Sequence, residues 1–199
     1  MIEIINISND RPYKIFKNFY DSALLAKQKS IEAISIASFN LHTNEVESRF
    51  VNLKYINDNE WTFFTNYQSP KAMDFNTHNQ ISALLYWRDL NLQIRLKAKI
   101  HKSSTAFSDN HFKKRSIEKN ALSISSSQSK VISSYNAVED LYNKTLSQIN
   151  NQTKRPDYWG GFTFIPYYFE FWQGHENRLN KRHVFEQKND EWVERLLQP

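Results

Sequence analysis

Residues 31–66 read IEAISIASFNLHTNEVESRFVNLKYINDNEWTFFTN, three apolar-rich runs broken by two polar turns. The run over 32–39 alternates Ile with small or polar residues, the period of a half-buried strand. His42, Thr43 and Asn44 turn the chain into a second run over 48–55, and Asn57, Asp58 and Asn59 into a third over 61–66. These three predict an antiparallel meander. Two more runs, 81–87 and 92–101, separated by Arg88 and Asp89, are read as its continuation.

Outward from this block, residues 12–29 predict an amphipathic helix. Asp10 stands at its cap, Pro12 in its first turn, and Tyr13, Phe16, Tyr20, Ala23 and Leu24 on one face. Ser69-Pro70-Lys71 is a second helix start. The stretch 105–150 is polar and helical, interrupted by SISSSQS at 123–129, with its best helix over 137–149. Strands return at 161–164, 168–172, 182–187 and 192–196. Many short strands with a few helices predict a mainly β chain, a closed or partly closed barrel with flanking helices, in a single domain over 1–199.

The composition narrows the function. The 199 residues contain no Cys, which excludes thiolate metal sites, disulfides and cysteine nucleophiles, and fits a reducing cytoplasm. Three glycines cannot build a P-loop or a dinucleotide fingerprint, there is no HExxH, and the six His are dispersed, so no metal site is expected. A net charge of +5 comes from scattered Lys and Arg, which reads as plain solubility or an anionic small ligand rather than nucleic acid. No apolar run approaches membrane-helix length, and MIEIINISND lacks the pattern of a signal peptide.

The candidate chemistry lies in basic and amide side chains beside aromatics. Arg49 and Lys54 bracket RFVNLK, and their odd separation places them on opposite faces of a regular strand; taken alone they read as solvated charges. Thr65 and Asn66 end the next run just before the helix start at Ser69, where free N–H groups and Lys71 suit a phosphate. In EFWQGHENRLNKR, residues 170–182, Trp172, Gln173 and Arg178 suit a flat aromatic ligand.

RFVNLK, FFTNYQSPK, LQIRL, SSSQS, WGGF and EFWQGHENRLNKR follow one another as in the pyridoxamine 5′-phosphate oxidase family, which the chain resembles from about Arg11 to ERLLQP. The resemblance implies a split β-barrel homodimer with FMN at the subunit interface. It implies that Arg49 and Lys71 grip the FMN phosphate with Ser129, and that Phe50, Val51, Asn52, Leu53, Lys54, Phe64 and Thr65 line the flavin site. Gln93, Gln128, Trp172 and Arg182 would complete it. Lys54 and Arg115, with His111 and Lys119, match the substrate-phosphate positions; Arg178, Leu179 and Asn180 match the substrate-ring segment, with Arg178 and Asn180 the candidate catalytic pair. The implied reaction oxidises a small phosphorylated pyridine to pyridoxal 5′-phosphate in the cytoplasm, with dioxygen as acceptor and hydrogen peroxide as product.

Four positions depart from the family pattern. Pro70 replaces an arginine of the FMN-phosphate grip, His111 a tyrosine, Lys119 a serine, and Asn180 a histidine; RSIEKNALSIS also differs from the family wording. His111 and Lys119 are expected to make the pocket more cationic, whereas Asn180 cannot titrate near neutrality. These departures leave two alternatives: an FMN oxidase acting on another anionic aromatic ring, of the phenazine-biosynthesis type, or a flavin binder with little oxidase activity.

Overall fold

Alternation in sequence becomes alternation in burial: along strand β2 (Ala33–Asn40), Ile34, Ile36 and Ser38 are buried while Ser35 and Ala37 are only half-covered. The computed structural model describes residues 1–199. Before β2 come β1 (Glu3–Ile4) and helix α1 (Arg11–Leu25); after it come β3 (Glu45–Asn52), β4 (Tyr55–Asn57), β5 (Glu60–Asn66), α2 (Pro70–Thr77), β6 (Gln80–Trp87) and β7 (Leu92–Lys102). Helices α3 (Thr105–Lys114), α4 (Ile117–Ser125) and α5 (Tyr135–Gln148) precede β8 (Trp159–Gln173), β9 (Lys181–Lys188) and β10 (Glu191–Leu197). No helix is long and apolar enough to cross a membrane.

The strands form one curled sheet in the order β1-β4-β5-β8-β7-β6-β2-β3, with β9 and β10 branching from β8. This corrects the meander. The predicted second run divides: β3 ends at Asn52, and Tyr55–Asn57 forms a separate strand that pairs with β5 and with β1. Strand β5 pairs with β4 and β8, not with β3 or β6, and β2 takes β6 on its other edge. Nearest-neighbour reading of the runs finds the hairpins and misses this rearrangement, because which edges meet depends on contacts remote in sequence.

Two predicted strands, 161–164 and 168–172, are one. Strand β8 passes through Pro166 at a bulge, where Lys97 pairs with Tyr168 and Ala98 with Pro166, so the proline sits where the register shifts. Along one edge β8 pairs with β7; along the other, Trp159–Phe164 pairs with β5 and Tyr168–Gln173 with β9. That division of one edge between two partners splits the barrel.

Helix α1 fills the concave side with Tyr13, Phe16, Tyr20 and Ala23. Phe16 packs 4.4 Å from Trp61 and Tyr13 lies 4.9 Å from Phe169, ring centroid to centroid. Leu24 is only partly covered, and the helix stops at Leu25 rather than near residue 29 because Lys27 adopts a left-handed φ of 55°. Asp10 does not cap the helix with its side chain; its carboxylate accepts from the Trp192 indole at 3.1 Å, tying α1 to β10. Gly160 is required by close approach, since a Cβ there would collide with the Tyr67 hydroxyl.

Candidate functional site

Strand β3 forms an edge of the sheet, and beside it opens a cleft of about 680 Å³. Its walls are residues 47–52 of β3, Lys54, Phe64 and Thr65 of β5, Pro70 and Lys71 of α2, and His111, Arg115, Lys119, Gln128, Ser129 and Trp159. Five cationic side chains face one carboxylate, Glu47. Arg49 and Lys54 line the same cleft, contrary to the opposite-face expectation, because β3 ends at Asn52 and Lys54 belongs to the connection that follows. Leu53 between them is fully buried, which leaves only its backbone for a ligand.

The best-desolvated cation is Lys71, 7% exposed. Its ammonium reaches the hydroxyls of Thr65 at 3.2 Å and Ser69 at 3.3 Å. No carboxylate pairs with it, and burial together with the neighbouring Arg49 pushes its pKa down to about 8. Ser69 does not cap α2; its hydroxyl donates to the Asn66 carbonyl at 2.7 Å, so the first N–H groups of the helix lack a side-chain cap. The Gln128 carbonyl oxygen accepts from the Thr65 hydroxyl and the Asn66 N–H, placing Ser129, at φ 67°, on the rim. A buried cation satisfied only by hydroxyls, a second cation beside it and an uncapped helix start fit a phosphate dianion.

The opposite wall is a stack of flat groups. The Arg115 guanidinium lies 4.4 Å over the Trp159 ring, Trp159 lies 5.5 Å from Phe64, and Phe64 faces His111. Arg115 is anchored by Ser123 at 2.8 Å and by the Lys119 carbonyl at 3.1 Å. The Tyr55 hydroxyl and His111 Nδ1 hydrogen-bond at 2.9 Å. Burial, then Arg115 and Lys54, hold the His111 pKa down to about 4, which corrects the expectation of a more cationic pocket through this residue. At neutral pH His111 is a polar aromatic surface. Sequence reasoning misses Tyr55 and Trp159; WGGF carries a signal for Trp159, and nothing in the sequence marks Tyr55.

The remaining candidates lie elsewhere. Gln93, Trp172 and Arg182 are directly opposite one another across β7, β8 and β9, so they share one face. Trp172, Arg178 and Asn180 line a second cleft of about 300 Å³, with no lining residue in common with the first. Arg178 and Leu179 are exposed; Arg178 has a left-handed φ of 59°. The Asn180 side-chain carbonyl accepts from the His175 N–H at 3.1 Å and so braces the loop. Trp159 in the first cleft and Trp172 in the second stand near opposite ends of β8, roughly 40 Å of strand apart at the usual rise per residue. One chain thus presents two separate clefts.

Comparison with known proteins identifies relatives. Residues 159–199 match the family described as the pyridoxine 5′-phosphate oxidase C-terminal dimerisation region. The chain is 32% identical over 189 residues to the pyridoxine/pyridoxamine 5′-phosphate oxidase of Legionella pneumophila strain Lens, covering 94% of this chain and 87% of that protein. Among solved structures, PhzG from Burkholderia lata 383, in complex with tetrahydrophenazine-1-carboxylic acid, superposes with a TM-score of 0.89 at 25% identity over 95% of this chain and 93% of the other. A pyridoxamine 5′-phosphate oxidase-related, FMN binding protein from Nostoc punctiforme shares the fold, with a TM-score of 0.79 at 11% identity over 96% and 99% of the two chains.

Proposed function

The chain belongs to the pyridoxine/pyridoxamine 5′-phosphate oxidase family, and from that premise we propose that it oxidises pyridoxamine 5′-phosphate or pyridoxine 5′-phosphate to pyridoxal 5′-phosphate. It is an FMN-dependent oxidoreductase. Bound FMN supplies a two-electron acceptor that dioxygen reoxidises to give hydrogen peroxide. The amine substrate also takes up water and releases ammonia; the alcohol substrate releases only the two hydrogens that end in peroxide.

The observation that carries the reading is Lys71, buried without a counter-ion beside Arg49. Together they suit the FMN phosphate, Arg49 through its planar fork and Lys71 as a point charge. Lys54, Arg115 and Lys119 remain for a second anion in the same cleft, the phosphate of the substrate. Arg178 would orient the pyridine ring, and Gln93, Trp172 and Arg182 would complete the flavin site from a second copy of the chain, since β8 separates the half-sites. A cytoplasmic homodimer is part of the proposal. The test is direct: purified protein should be yellow, and the two phosphorylated vitamers should bleach it anaerobically and yield peroxide in air, whereas the unphosphorylated vitamers should not.

The neutral, stacked His111 favours a second reading, in which the cleft takes another anionic aromatic ring. PhzG, seen with tetrahydrophenazine-1-carboxylic acid, is the relevant neighbour. Turnover of such an acid without turnover of the vitamers would favour it.

A further inference from the structure

Arg49 is held from behind as well as from the cleft. Its NH1 group donates to Ser38 Oγ at 2.6 Å, and the Ser38 hydroxyl donates to Asp74 Oδ2 at 2.6 Å. The other carboxylate oxygen of Asp74 accepts from the Asn40 amide at 3.0 Å. A serine hydroxyl carries one proton; with that proton directed to Asp74, a lone pair is left facing the guanidinium. Asp74 is 2% exposed on α2, three residues after Lys71, and both its side-chain partners are neutral. A buried carboxylate so placed is disfavoured unless nearby positive charge offsets it. The charge it reaches, through Ser38, is Arg49.

Glu47 holds the other end of the guanidinium, pairing with NH2 at 2.7 Å from an exposed position. A phosphate arriving in the cleft competes with the Glu47 carboxylate for that end, while NH1 stays tethered to Ser38, its shortest contact, and to the Ile36 and Glu47 carbonyls at 3.3 and 3.1 Å. We propose that Asp74, acting through Ser38, is a positioning residue that fixes Arg49 with its NH2 edge toward the flavin phosphate. The proposal rests on Arg49 being a phosphate ligand. No motif in the sequence connects the three residues; β2, β3 and α2 bring them together.

The test compares FMN with riboflavin, which lacks the phosphate, by quenching of flavin fluorescence on the full-length, flavin-stripped protein. Ser38→Ala and Asp74→Asn should each weaken FMN about tenfold and leave riboflavin affinity unchanged. In an Arg49→Ala background, Ser38→Ala should have no further effect on FMN. Equal loss of FMN and riboflavin affinity in Ser38→Ala would make the chain merely structural, and wild-type FMN affinity in that variant would overturn the proposal even if Asp74→Asn failed to fold. If Arg49→Ala alone kept the full preference for FMN over riboflavin, the phosphate reading of Arg49 would fall first, and the positioning role with it.

Discussion

The imidazole of His111 lies flat on the ring of Phe64, with centroids 3.6 Å apart and planes within 11°. Desolvation on that face, with Arg115 and Lys54 nearby, keeps the ring neutral down to about pH 4. The unfolded chain binds a proton at this residue from about pH 6.5 downward and the folded protein does not, so the wild type loses stability as pH falls through that window. His111→Gln should remove about 1–2 kcal/mol of this acid sensitivity. Denaturant melts of both proteins between pH 4 and 7 provide the check; parallel pH profiles would show that His111 titrates normally.

Lys71 has the same charge problem in a higher pH window. Its depressed folded pKa of about 8, against 10.5, means that the protonated form destabilises the flavin-free protein below pH 8 and that this penalty fades between about pH 8 and 10.5. Lys71→Met should therefore raise apoprotein stability by about 1–3 kcal/mol while weakening FMN by about 1.5–3 kcal/mol. FMN affinity of the wild type should be flat between about pH 7 and 8, where the phosphate is a dianion, and fall above it, as binding then requires proton uptake; Lys71→Arg should abolish that fall. Equilibrium titrations with FMN across pH 7–10 decide the matter.

Arg178 should govern turnover rather than flavin retention. Alanine tolerates the left-handed φ of 59° no worse than arginine, so Arg178→Ala isolates the side chain. The variant should stay yellow and lose at least about 100-fold in kcat/KM, as misplacement of a reacting carbon does. A colourless variant would place Arg178 in the cofactor site instead.

With the proposed dimer, the two clefts near opposite ends of β8 predict complementation. Arg49→Ala and Arg178→Ala chains, each strongly impaired alone, should recover activity when co-expressed. A mixed dimer built on a two-fold axis has one site carrying both lesions and one carrying neither, so roughly a quarter of all sites should be intact. Recovery should appear only in the mixed species separated by differential tags. An inactive mixed dimer would mean that both residues serve one site within a chain.

The sequence by itself determined most of the elements and marked several side chains of the cleft. Alternation at 32–39, the Ser69-Pro70 helix start and the aromatic face of Tyr13, Phe16 and Tyr20 are local patterns, set by periods of two and 3.6 residues that each segment carries alone. The ordered motifs likewise marked Arg49 and Lys71, and the resemblance they carry implied Arg115; the fold gathers all three into one cleft. Tertiary structure decided what depends on distant chain segments. It ended β3 at Asn52 so that Lys54 joins Arg49, and it carried β8 through Pro166 as one strand. It also removed the charge from His111, because desolvation and neighbouring cations belong to the folded surroundings and not to the residue. The Asp74–Ser38–Arg49 chain arises the same way: three residues with no local pattern in common meet only where α2 packs against β2.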